Sequence, residues 1–496
     1  MMHNFAAGCQ AVRAAYAARE YGQAQALLAE LQPLCRTVGE QFFYEEAAGN
    51  TLFQLAQLEA AQAHMAAGVA LPVATPELRA RQRRLCSNWL MYLHYLPGVS
   101  DAQMLAAHRR YGELFAGVRP RIYTAAERAR RAQKRRLRIG YLSPDFYEHI
   151  VTNFAIQLYA GFDRARYEVF LYDTGGEQND VTDWLRSFVT DYVSLRGLYG
   201  EAAAARIAAD DIDILVDLAG HTEGGRGLVT MAWRAAPVQV SGIGYFDTTG
   251  LPQVDYFLTD GYCTPRGGSG GFIERPLRLP HSHFCYTPPE AVRAATRPYQ
   301  LHTPVVFGSF NNFAKINLPL LLLWRDILAR VPGSRLLLRH TNANPYQLAR
   351  VRRLVLAAGL PLARVTIEPG APGRDYLDHY QDMDIALDTY PYPGGGTTCE
   401  ALYMGVPVVT RYGTRHGTRF GLSLLTNAGL GELAAPTPEV YVATAVALAQ
   451  DTELLVSLHQ QLRTMLQQSP VMDARAYVHD VEQAYERIWQ AWLDEM

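Results

Sequence analysis

The residue whose chemistry stands out most is Lys315, one of two lysines in a chain of 496 residues that otherwise uses arginine for nearly all its positive charge. It follows a β-rich apolar run at 305–310 and precedes a run at 318–331 with helical periodicity. A compact ammonium between a strand end and a helix start is typical of α/β proteins that hold an anionic ligand. A solvated surface lysine is equally compatible, so this segment alone leaves both interpretations open.

A glycine-rich turn within residues 388–410 is the second candidate. It places three glycines, Thr397 and Thr398 between a strand end and a helix expected to stop at Gly405. Glycines let a diphosphate approach the backbone, and the N-terminus of the following helix favours negative charge. Glu400, in the first helical turn, could accept both hydroxyls of a ribose. The combination predicts a site for a nucleoside diphosphate, whereas a glycine turn alone is typical of an ordinary loop.

The elements that must position these residues change character along the chain. Residues 1–118 have helical spacing and predict an all-α domain that partly resembles a tetratricopeptide helix pair. Residues 119–136 form a basic segment, interpreted as a solvated helix or linker. Short β-rich runs alternate with helix-length segments in 137–285 and again in 305–496, with a proline-rich linker at 286–304. We therefore expect an α/β fold of two Rossmann-like, doubly wound domains that face each other across a cleft, an arrangement called GT-B.

Composition argues against several classes of partner. The formal net charge is −2 and the sequence pI is about 6.7, so we expect no nucleic acid and no charged membrane surface as partner. The six cysteines lack metal-ligand spacing, which indicates reduced thiols in a reducing compartment. The N-terminus lacks a signal-peptide layout, and no long uncharged apolar stretch marks a membrane span. We therefore predict a soluble, cytoplasmic protein.

Several motifs occur in an order and spacing that resemble one known family, that of O-linked N-acetylglucosamine transferase and the SPINDLY proteins. They lie at residues 140–149, 217–222, 234–240, 244–252, 255–260, 279–281 and 310–315 and in the glycine-threonine turn. The resemblance extends over roughly residues 87–490. It implies an inverting, metal-independent transfer of a sugar from a nucleotide diphosphate to a Ser or Thr hydroxyl of a protein. The nucleotide sugar is a substrate, so no cofactor is expected.

The resemblance also implies roles for individual residues. Lys315 matches the family's essential lysine, which neutralises charge on the β-phosphate as the bond to the sugar breaks. His149 matches a histidine that reaches into the cleft, where it could act as a general base or contact the sugar or acceptor. The matching donor-binding positions are Asn312 beside the diphosphate, Ala371 and Pro372 at the base, and Gly395, Gly396, Thr397, Thr398 and Glu400 at the phosphates and ribose.

Four further residues are assigned to the wall of the cleft. They are His221, which follows a predicted strand end, Thr248 and Thr249 in the motif at 244–252, and His281. His281 is the weaker candidate, because a structural histidine after Leu-Pro is common.

The chain departs from the family pattern at three places. Gly395 stands where the animal enzyme has a histidine before the two threonines. Tyr376 replaces a second histidine, and His379, one helical turn further on, could partly substitute for it at the donor site. Phe246 and Asp247 replace a Pro-Gly pair near the sugar pocket, which leaves the donor sugar open.

Asp382 and Asp384 have the spacing with which another class of glycosyltransferases binds manganese. They directly precede the apolar run 385–387, so a helix-to-strand junction is the better interpretation. We expect no metal.

Three functions remain open. The first is a protein O-glycosyltransferase whose helical region helps to present an acceptor protein or peptide, with a UDP-sugar favoured as donor and a GDP-sugar as the alternative. The second keeps the fold but uses a small-molecule or glycan acceptor, because the helical region is short. The third is a non-catalytic scaffold that binds nucleotide sugars, suggested by Tyr376, Phe246 and Asp247. A homo-oligomer through the α domain is also considered.

Overall fold

An all-α region opens the chain, as predicted. The computed structural model describes residues 4–267, 271–295, 299–370 and 374–495. The opening helices are α1 (Phe5–Ala17), α2 (Tyr21–Leu31), α3 (Val38–Gln54), α4 (Leu58–Ala70), α5 (Pro76–Leu93) and α6 (Asp101–Glu113). Local sequence explains where several begin: Thr37 and Ser100 form capping boxes at α3 and α6, and Thr75 caps α5 just before Pro76.

The basic segment after this region is largely exposed, as predicted, but two of its basic residues are paired inside the protein. It contains helix α7 (Ala125–Ala132), and Arg131 is buried, with 2% of its surface exposed. The guanidinium of Arg131 and the ammonium of Lys134 both donate to the buried Asp213 carboxylate, the latter at 2.8 Å. The prediction of a solvated segment is wrong for Arg131 and Lys134, because the carboxylate that pairs with them lies about 80 residues further along the chain, where sequence spacing gives no sign of it.

The first α/β domain contains a sheet of seven parallel strands. The strands are β1 (Leu137–Ser143), β2 (Tyr167–Asp173), β3 (Asp191–Ser194), β4 (Ile214–Asp217), β5 (Val238–Ser241), β6 (Tyr256–Asp260) and β7 (Arg275–Leu279), with helices α8 (Ile150–Ala160), α9 (Asp180–Arg186), α10 (Glu201–Ala209) and α11 (Arg226–Met231) between them. Their order is β3-β2-β1-β4-β5-β6-β7. The order reverses between β1 and β4, where a crevice is expected beyond the carboxyl ends of the strands.

The second α/β domain repeats this plan. After α12 (Glu290–Ala294) come the strands β8 (Val306–Ser309), β9 (Arg335–His340), β10 (Val365–Pro369), β11 (Ile385–Leu387), β12 (Val408–Arg411) and β13 (Ala434–Ala435), with helices α13 (Leu318–Arg330), α14 (Pro345–Ala357), α15 (Arg374–Asp378), α16 (Gly396–Tyr403), α17 (Phe420–Asn427), α18 (Pro438–Gln450) and α19 (Thr452–Gln467). The parallel order is β10-β9-β8-β11-β12-β13, which reverses between β8 and β11. Two doubly wound domains behind a helical region confirm the predicted fold.

The last helix, α20 (Ala474–Asp494), follows the second domain in sequence but packs on the first. The Tyr477 hydroxyl donates to His283 O at 3.0 Å, and the Glu482 carboxylate accepts from Asp163 N at 3.0 Å. The predicted domain at 305–496 therefore includes a helix whose partners lie in the first domain. Long-range packing of this kind leaves no mark on the local hydrophobic period.

None of the helices in the described ranges is both long enough and apolar enough to cross a membrane. Cytoplasmic localisation and a homo-oligomer stay predictions.

Candidate active site

Lys315 and the glycine turn meet at the switch point of the second sheet. The strand order reverses between β8 and β11, and ligands of doubly wound folds bind beyond the carboxyl ends of such strands. β8 leads into a single 3-10 turn, Phe313–Lys315, and β11 leads through residues 394–396 into α16. Folding thus brings Lys315 to within hydrogen-bond distance of Pro393, 78 positions away in the chain.

The Lys315 ammonium is held by neutral groups. Its Nζ donates to Asn311 Oδ1 at 3.2 Å and to Pro393 O at 3.0 Å, and it lies 4.0 Å from the centre of the Tyr392 ring. Burial lowers the pKa of Lys315 to about 8, an effect that nearby Asp388 opposes. Among the residues that the structure describes, no carboxylate forms an ion pair with Nζ. The ammonium is therefore mostly protonated at neutral pH, and its charge is suited to an anionic ligand.

Asp388 holds the glycine turn in place. Its Oδ1 accepts hydrogen bonds from Thr389 N at 2.8 Å and Gly394 N at 2.7 Å, and its Oδ2 accepts one from Thr410 Oγ1 at 2.7 Å. Burial raises the pKa of this carboxyl, and these hydrogen bonds oppose the rise. The sequence predicts Asp388 only as a strand end, and this role is visible only in the structure.

The two glycines at the start of α16 have different surroundings. A Cβ on Gly396 would lie 2.3 Å from Ile150 Cδ1 of the first domain, whereas a Cβ on Gly395 would meet nothing within 4 Å. Gly396 is also the residue directly before Thr397. The missing histidine that we assigned to Gly395 therefore belongs at Gly396, where a side chain would not fit without moving Ile150.

The polar side chains at and near the turn have different hydrogen-bond partners. Thr397 Oγ1 donates to Asn311 Oδ1 at 3.2 Å, so Thr397 and Lys315 share one amide oxygen. Thr398 is buried, and its hydroxyl donates to Gly394 O at 3.1 Å. Asn312, predicted to lie beside the diphosphate, accepts from Ala314 N at 2.9 Å and caps the 3-10 turn. The residue joined to the lysine is thus Asn311, which sequence reasoning missed although it is the first polar residue after Phe310.

Glu400 lies opposite two tyrosines. Its Oε2 accepts hydrogen bonds from the hydroxyls of Tyr376 and Tyr380, the latter at 3.1 Å. Burial raises the pKa of Glu400, and the two hydroxyls oppose the rise. Tyr376, which replaces a family histidine, therefore orients the carboxylate predicted to bind ribose. Ala371 and Pro372, predicted to bind the base, lie outside the described residues.

His379 does not take the place of the replaced histidine. Its Nδ1 contacts Asp382 Oδ2 at 3.2 Å, and the same oxygen accepts from Arg339 at 3.0 Å. The second aspartate of the pair, Asp384, is buried and accepts from Val306 N at 2.7 Å. The two aspartates therefore have separate partners, which agrees with a structural junction.

A cavity of about 320 Å³ separates these residues from the first domain. The second domain contributes Lys315, Tyr376, Tyr392, Pro393, Gly395, Gly396, Thr397, Glu400 and Phe420, and the first contributes Ile150, Val151, Phe154, Ile243, Gly244, Phe246 and Phe284. One wall is therefore polar and cationic, and the facing wall is mostly apolar.

His149 caps α8 beside this apolar wall, directly before Ile150 and Val151. Its Nδ1 accepts from Val151 N at 3.3 Å and lies 3.6 Å from Asp145 Oδ1. Burial lowers the pKa of His149, so the ring is neutral at pH 7. The hydrogen bond to Nδ1 favours the tautomer with its proton on Nε2, which is a hydrogen-bond donor.

Three residues assigned to the cleft wall lie behind it. His221 is buried, with Nδ1 2.9 Å from Ser87 Oγ of the helical region and Nε2 2.9 Å from Thr249 O. Thr248 and Thr249 are also buried, and both hydroxyls donate to the Glu274 carboxylate, that of Thr248 at 2.6 Å. The cleft-wall prediction is wrong for these residues because each polar group is already paired inside the protein.

His281 is exposed, whereas Phe284 of the same segment lines the cavity. The buried histidine here is His283, whose Nδ1 lies 2.5 Å from Asp260 Oδ2. In this segment the cavity wall is therefore formed by the apolar Phe284 and not by His281.

Phe246 and Asp247 have opposite environments. The Phe246 ring lines the cavity and lies 4.5 Å from the Tyr392 ring, centre to centre. Asp247 is buried, accepts from Thr248 N at 2.8 Å through Oδ1, and has no hydrogen-bond partner for Oδ2 among the described residues. Of the two residues that stand in place of the family's Pro-Gly pair, Phe246 therefore gives the cavity an aromatic wall.

Among the residues that the structure describes, two buried groups bring metal-ligand atoms within 4.8 Å of one another: His94, His108 and Asp247, and Asp260, Cys263 and His283. In the first group the two imidazole Nε2 atoms contact the Tyr245 hydroxyl at 3.1 and 2.6 Å, and burial and the Arg415 cation lower the pKa of His94. In the second, the Asp260 carboxylate already accepts from His283. Existing hydrogen bonds and a nearby guanidinium disfavour a cation, and the expected absence of a metal stays a prediction.

Two doubly wound domains that meet across a cleft, with a cation and a glycine-threonine turn at the switch point, define a glycosyltransferase of the GT-B class. The chain belongs to glycosyl transferase family 41, whose model matches residues 118–287 and 286–481. The resemblance drawn from the motifs is thereby confirmed.

Relatives and a solved structure agree with this assignment. The chain is 38% identical to the probable UDP-N-acetylglucosamine-peptide N-acetylglucosaminyltransferase SPINDLY of Oryza sativa subsp. japonica and to that of Arabidopsis thaliana, over 83% of its length and 45% of theirs. It thus spans under half the length of these relatives. A mutant of the Thermobaculum terrenum O-GlcNAc transferase is similar over 99% of both chains, with a TM-score of 0.81 and 28% identity.

Proposed function

We propose that this chain is an inverting, metal-independent glycosyltransferase that moves a sugar from a nucleoside diphosphate to Ser or Thr hydroxyls of a polypeptide. The observation that carries the proposal is the position of the Lys315 ammonium beside Thr397 and the glycine turn, with neutral partners. The leaving diphosphate gains negative charge as its bond to the sugar breaks. A fixed cation in a partly dry crevice stabilises that charge in the transition state.

The distribution of carboxylates supports direct displacement. Among the described residues that line the cavity, Glu400 is the one carboxylate, and it lies on the donor side. A retaining reaction through a covalent intermediate would need a nucleophile on the opposite face of the sugar. The acceptor oxygen is therefore proposed to attack the sugar directly, with Lys315 in place of the metal that stabilises the leaving group in other transferases.

His149 belongs to the acceptor side in this proposal. Because its Nδ1 accepts from Val151 N, the neutral ring presents a proton at Nε2. This favours a hydrogen bond from His149 to a sugar or acceptor oxygen over removal of the acceptor proton.

A groove in the helical region supports a polypeptide acceptor. It encloses about 760 Å³ and is lined by amide, aromatic and basic side chains that include Asn50, Asn88, Tyr16, Tyr92 and Arg84. Side-chain amides can donate to and accept from the backbone of an extended chain. The SPINDLY relatives are named for action on peptides. We therefore favour a cytoplasmic protein substrate over a small-molecule acceptor.

The donor is proposed to be a UDP-sugar, as in the names of the relatives, with a GDP-sugar as the alternative. Thermal-shift titrations with UDP and GDP distinguish them. A nucleotide at 100 times its Kd should add about 2.7 kcal/mol of stability, and the weaker binder should add less at equal concentration.

The decisive experiment compares Lys315→Met with Lys134→Met, the same change at the other lysine of the chain. Initial rates are measured by mass spectrometry on Ser/Thr-rich peptides with UDP-N-acetylglucosamine or GDP-fucose. Loss of the leaving-group cation should reduce transfer by about 10² to 10³-fold, while Lys134→Met should keep most activity if its Tm is maintained.

Transfer by Lys315→Met within tenfold of the unsubstituted protein would refute the proposed role. Nucleotide binding without turnover of either donor in the unsubstituted protein would instead favour the scaffold alternative.

A further inference from the structure

The Tyr392 ring lies against the Lys315 ammonium, 4.0 Å from Nζ to the ring centre. The same ring contacts both other regions of the molecule. Phe246 of the first domain lies 4.5 Å from it, and Tyr95 of the helical region lies 5.3 Å from it, centre to centre. Tyr392 is therefore where the three regions meet, next to the proposed catalytic cation.

The helical region also touches the segment that carries the lysine. Tyr95, Leu58 and Ala314 form a small buried apolar cluster, and Ala314 is the residue directly before Lys315. Tyr95 is buried, with 9% of its surface exposed. It therefore packs both on the ring that faces the ammonium and on the backbone segment that leads to it.

The contacts continue to the groove of the helical region. The Phe53 ring stacks on Tyr92 at 3.6 Å with an interplanar angle of 3°, and lies 5.9 Å from the Tyr95 ring. Tyr92 lines the groove. An aromatic path of Tyr92, Phe53, Tyr95 and Tyr392 thus joins the groove to Lys315.

We propose that the helical region positions the Lys315 ammonium, with Tyr95 as a positioning residue that acts through Tyr392 and Ala314. The inference rests on the proposed function, in which Lys315 stabilises the leaving diphosphate. A lysine head group on a flexible four-carbon stem needs such support, because misplacement of a catalytic group by about 1 Å can cost about 100-fold in rate. An aromatic face that is itself held by Tyr95 provides it.

In the described parts of the chain, the titratable groups that act on Lys315 or are affected by it include Asp388 after β11, His340 at the end of β9, and Tyr392. Burial and then the Lys315 charge lower the pKa of His340 to about 4. Burial raises the pKa of Tyr392 well above its usual value, and it raises that of Asp388. Because these neighbours also titrate, the pKa of Lys315 has to be measured on the lysine itself. The small number of lysines in the chain makes this possible.

Selective ¹³Cε-lysine labelling gives two NMR signals, because Lys134 and Lys315 are the two lysines. The free protein is titrated as Tyr95→Leu, Tyr95→Phe and Tyr44→Leu, the last a matched control at a buried tyrosine of a separate apolar cluster. Tyr95→Leu should loosen the packing and admit water, so the Lys315 pKa should rise from about 8 towards the ordinary value of about 10.4. Tyr95→Phe and Tyr44→Leu should leave it unchanged, and Lys134 serves as an internal reference.

Transfer kinetics give the second readout. Tyr95→Leu should lower kcat about tenfold with little change in the donor KM, and Tyr95→Phe should retain activity. If Tyr95→Leu does not fold, Leu58→Ala removes the other buried side chain that the helical region contributes to this cluster and should raise the Lys315 pKa in the same direction.

An unchanged Lys315 pKa and kcat in folded Tyr95→Leu would overturn the inference. Failure of the proposed function would give a different result. Lys315→Met would then retain transfer, while the Lys315 pKa would still rise in Tyr95→Leu.

Discussion

Asn311 Oδ1 accepts hydrogen bonds from Lys315 Nζ and from Thr397 Oγ1, each at 3.2 Å. One amide oxygen thus links the segment after β8 to the segment after β11. The next residue, Asn312, caps a 3-10 turn through Ala314 N. Two adjacent asparagines therefore have different tasks, and the first is the one that orients the candidate catalytic cation.

Asn311→Ala should lower kcat for sugar transfer more than Asn312→Ala does. Loss of a hydrogen bond to a charged donor should cost about 1.5–3 kcal/mol of transition-state stabilisation, or about 10- to 150-fold in rate. Asn312→Ala should cost mainly stability, by about 1 kcal/mol, as for other caps. Steady-state kinetics and Tm of both variants check this. The reverse order of kcat values would restore Asn312 to the diphosphate position that the family resemblance implies.

Sugar transfer should decline in alkaline solution. Burial lowers the pKa of Lys315 to about 8, so the ammonium loses its proton as the pH rises through that value. The neutral amine cannot stabilise the leaving diphosphate, and kcat/KM for the donor should fall about tenfold per pH unit above the pKa.

Lys315→Arg serves as the control for this pH dependence. Arginine remains charged, so its profile should stay flat in that range, at a reduced rate because a planar fork does not fit a site made for an ammonium. A flat profile to about pH 9.5 for the unsubstituted protein would contradict the assignment of the cation.

Alanine should be better tolerated at Gly395 than at Gly396. The added Cβ meets nothing within 4 Å at Gly395 but lies 2.3 Å from Ile150 Cδ1 at Gly396. The contacted atoms belong to the end of a flexible side chain, so Ile150 can move at a cost of about 1 kcal/mol, the low end for overpacking, and its side chain would then take up part of the cavity. Gly396→Ala should therefore lower Tm and weaken UDP binding. Adding Ile150→Ala to it should restore Tm in part, and no rescue would show that the contact is not limiting.

Asp247→Asn should stabilise the protein above neutral pH. Burial raises the pKa of Asp247 to about 7, so the folded state binds more protons than the unfolded state between about pH 4 and 7. The contribution of this group to stability is accordingly lost as the pH rises from about 4, and the loss is complete at about pH 7. Asparagine keeps the acceptor for Thr248 N and cannot ionise.

The expected gain for Asp247→Asn is about 1–2 kcal/mol at pH 8, less than the full pKa shift suggests because removal of the charge also affects Arg415. At pH 5 the gain should fall to about a third of its value at pH 8, because the penalty for ionisation starts to build up near pH 4. Thermal unfolding at both pH values checks this, and an equal gain at pH 5 would point to a cause other than ionisation.

Local patterns were sufficient for the larger features of this protein. Alternation of β-rich and helical runs predicts two doubly wound domains, because strand and helix periods are properties of short segments. The types of residue at a strand end, a glycine turn and a helix start predict an anion site, since backbone amides and helix dipoles act locally. Lys315, Thr397 and Glu400 were found on these grounds, and all three line the cavity.

The partners of individual side chains came from the tertiary structure alone. The sequence predicts His221 at the cleft wall, whereas in the structure its ring forms a hydrogen bond with Ser87, 134 positions away in the chain. By its sequence context Arg131 is expected in solvent, whereas in the structure it pairs with Asp213. Asn312 is expected beside the diphosphate, whereas Asn311 is the asparagine that contacts Lys315 and Thr397. Burial and hydrogen bonding depend on segments that are distant in sequence, so residue type and spacing specify the elements and the chemistry available, and folding selects which side chains are left to act.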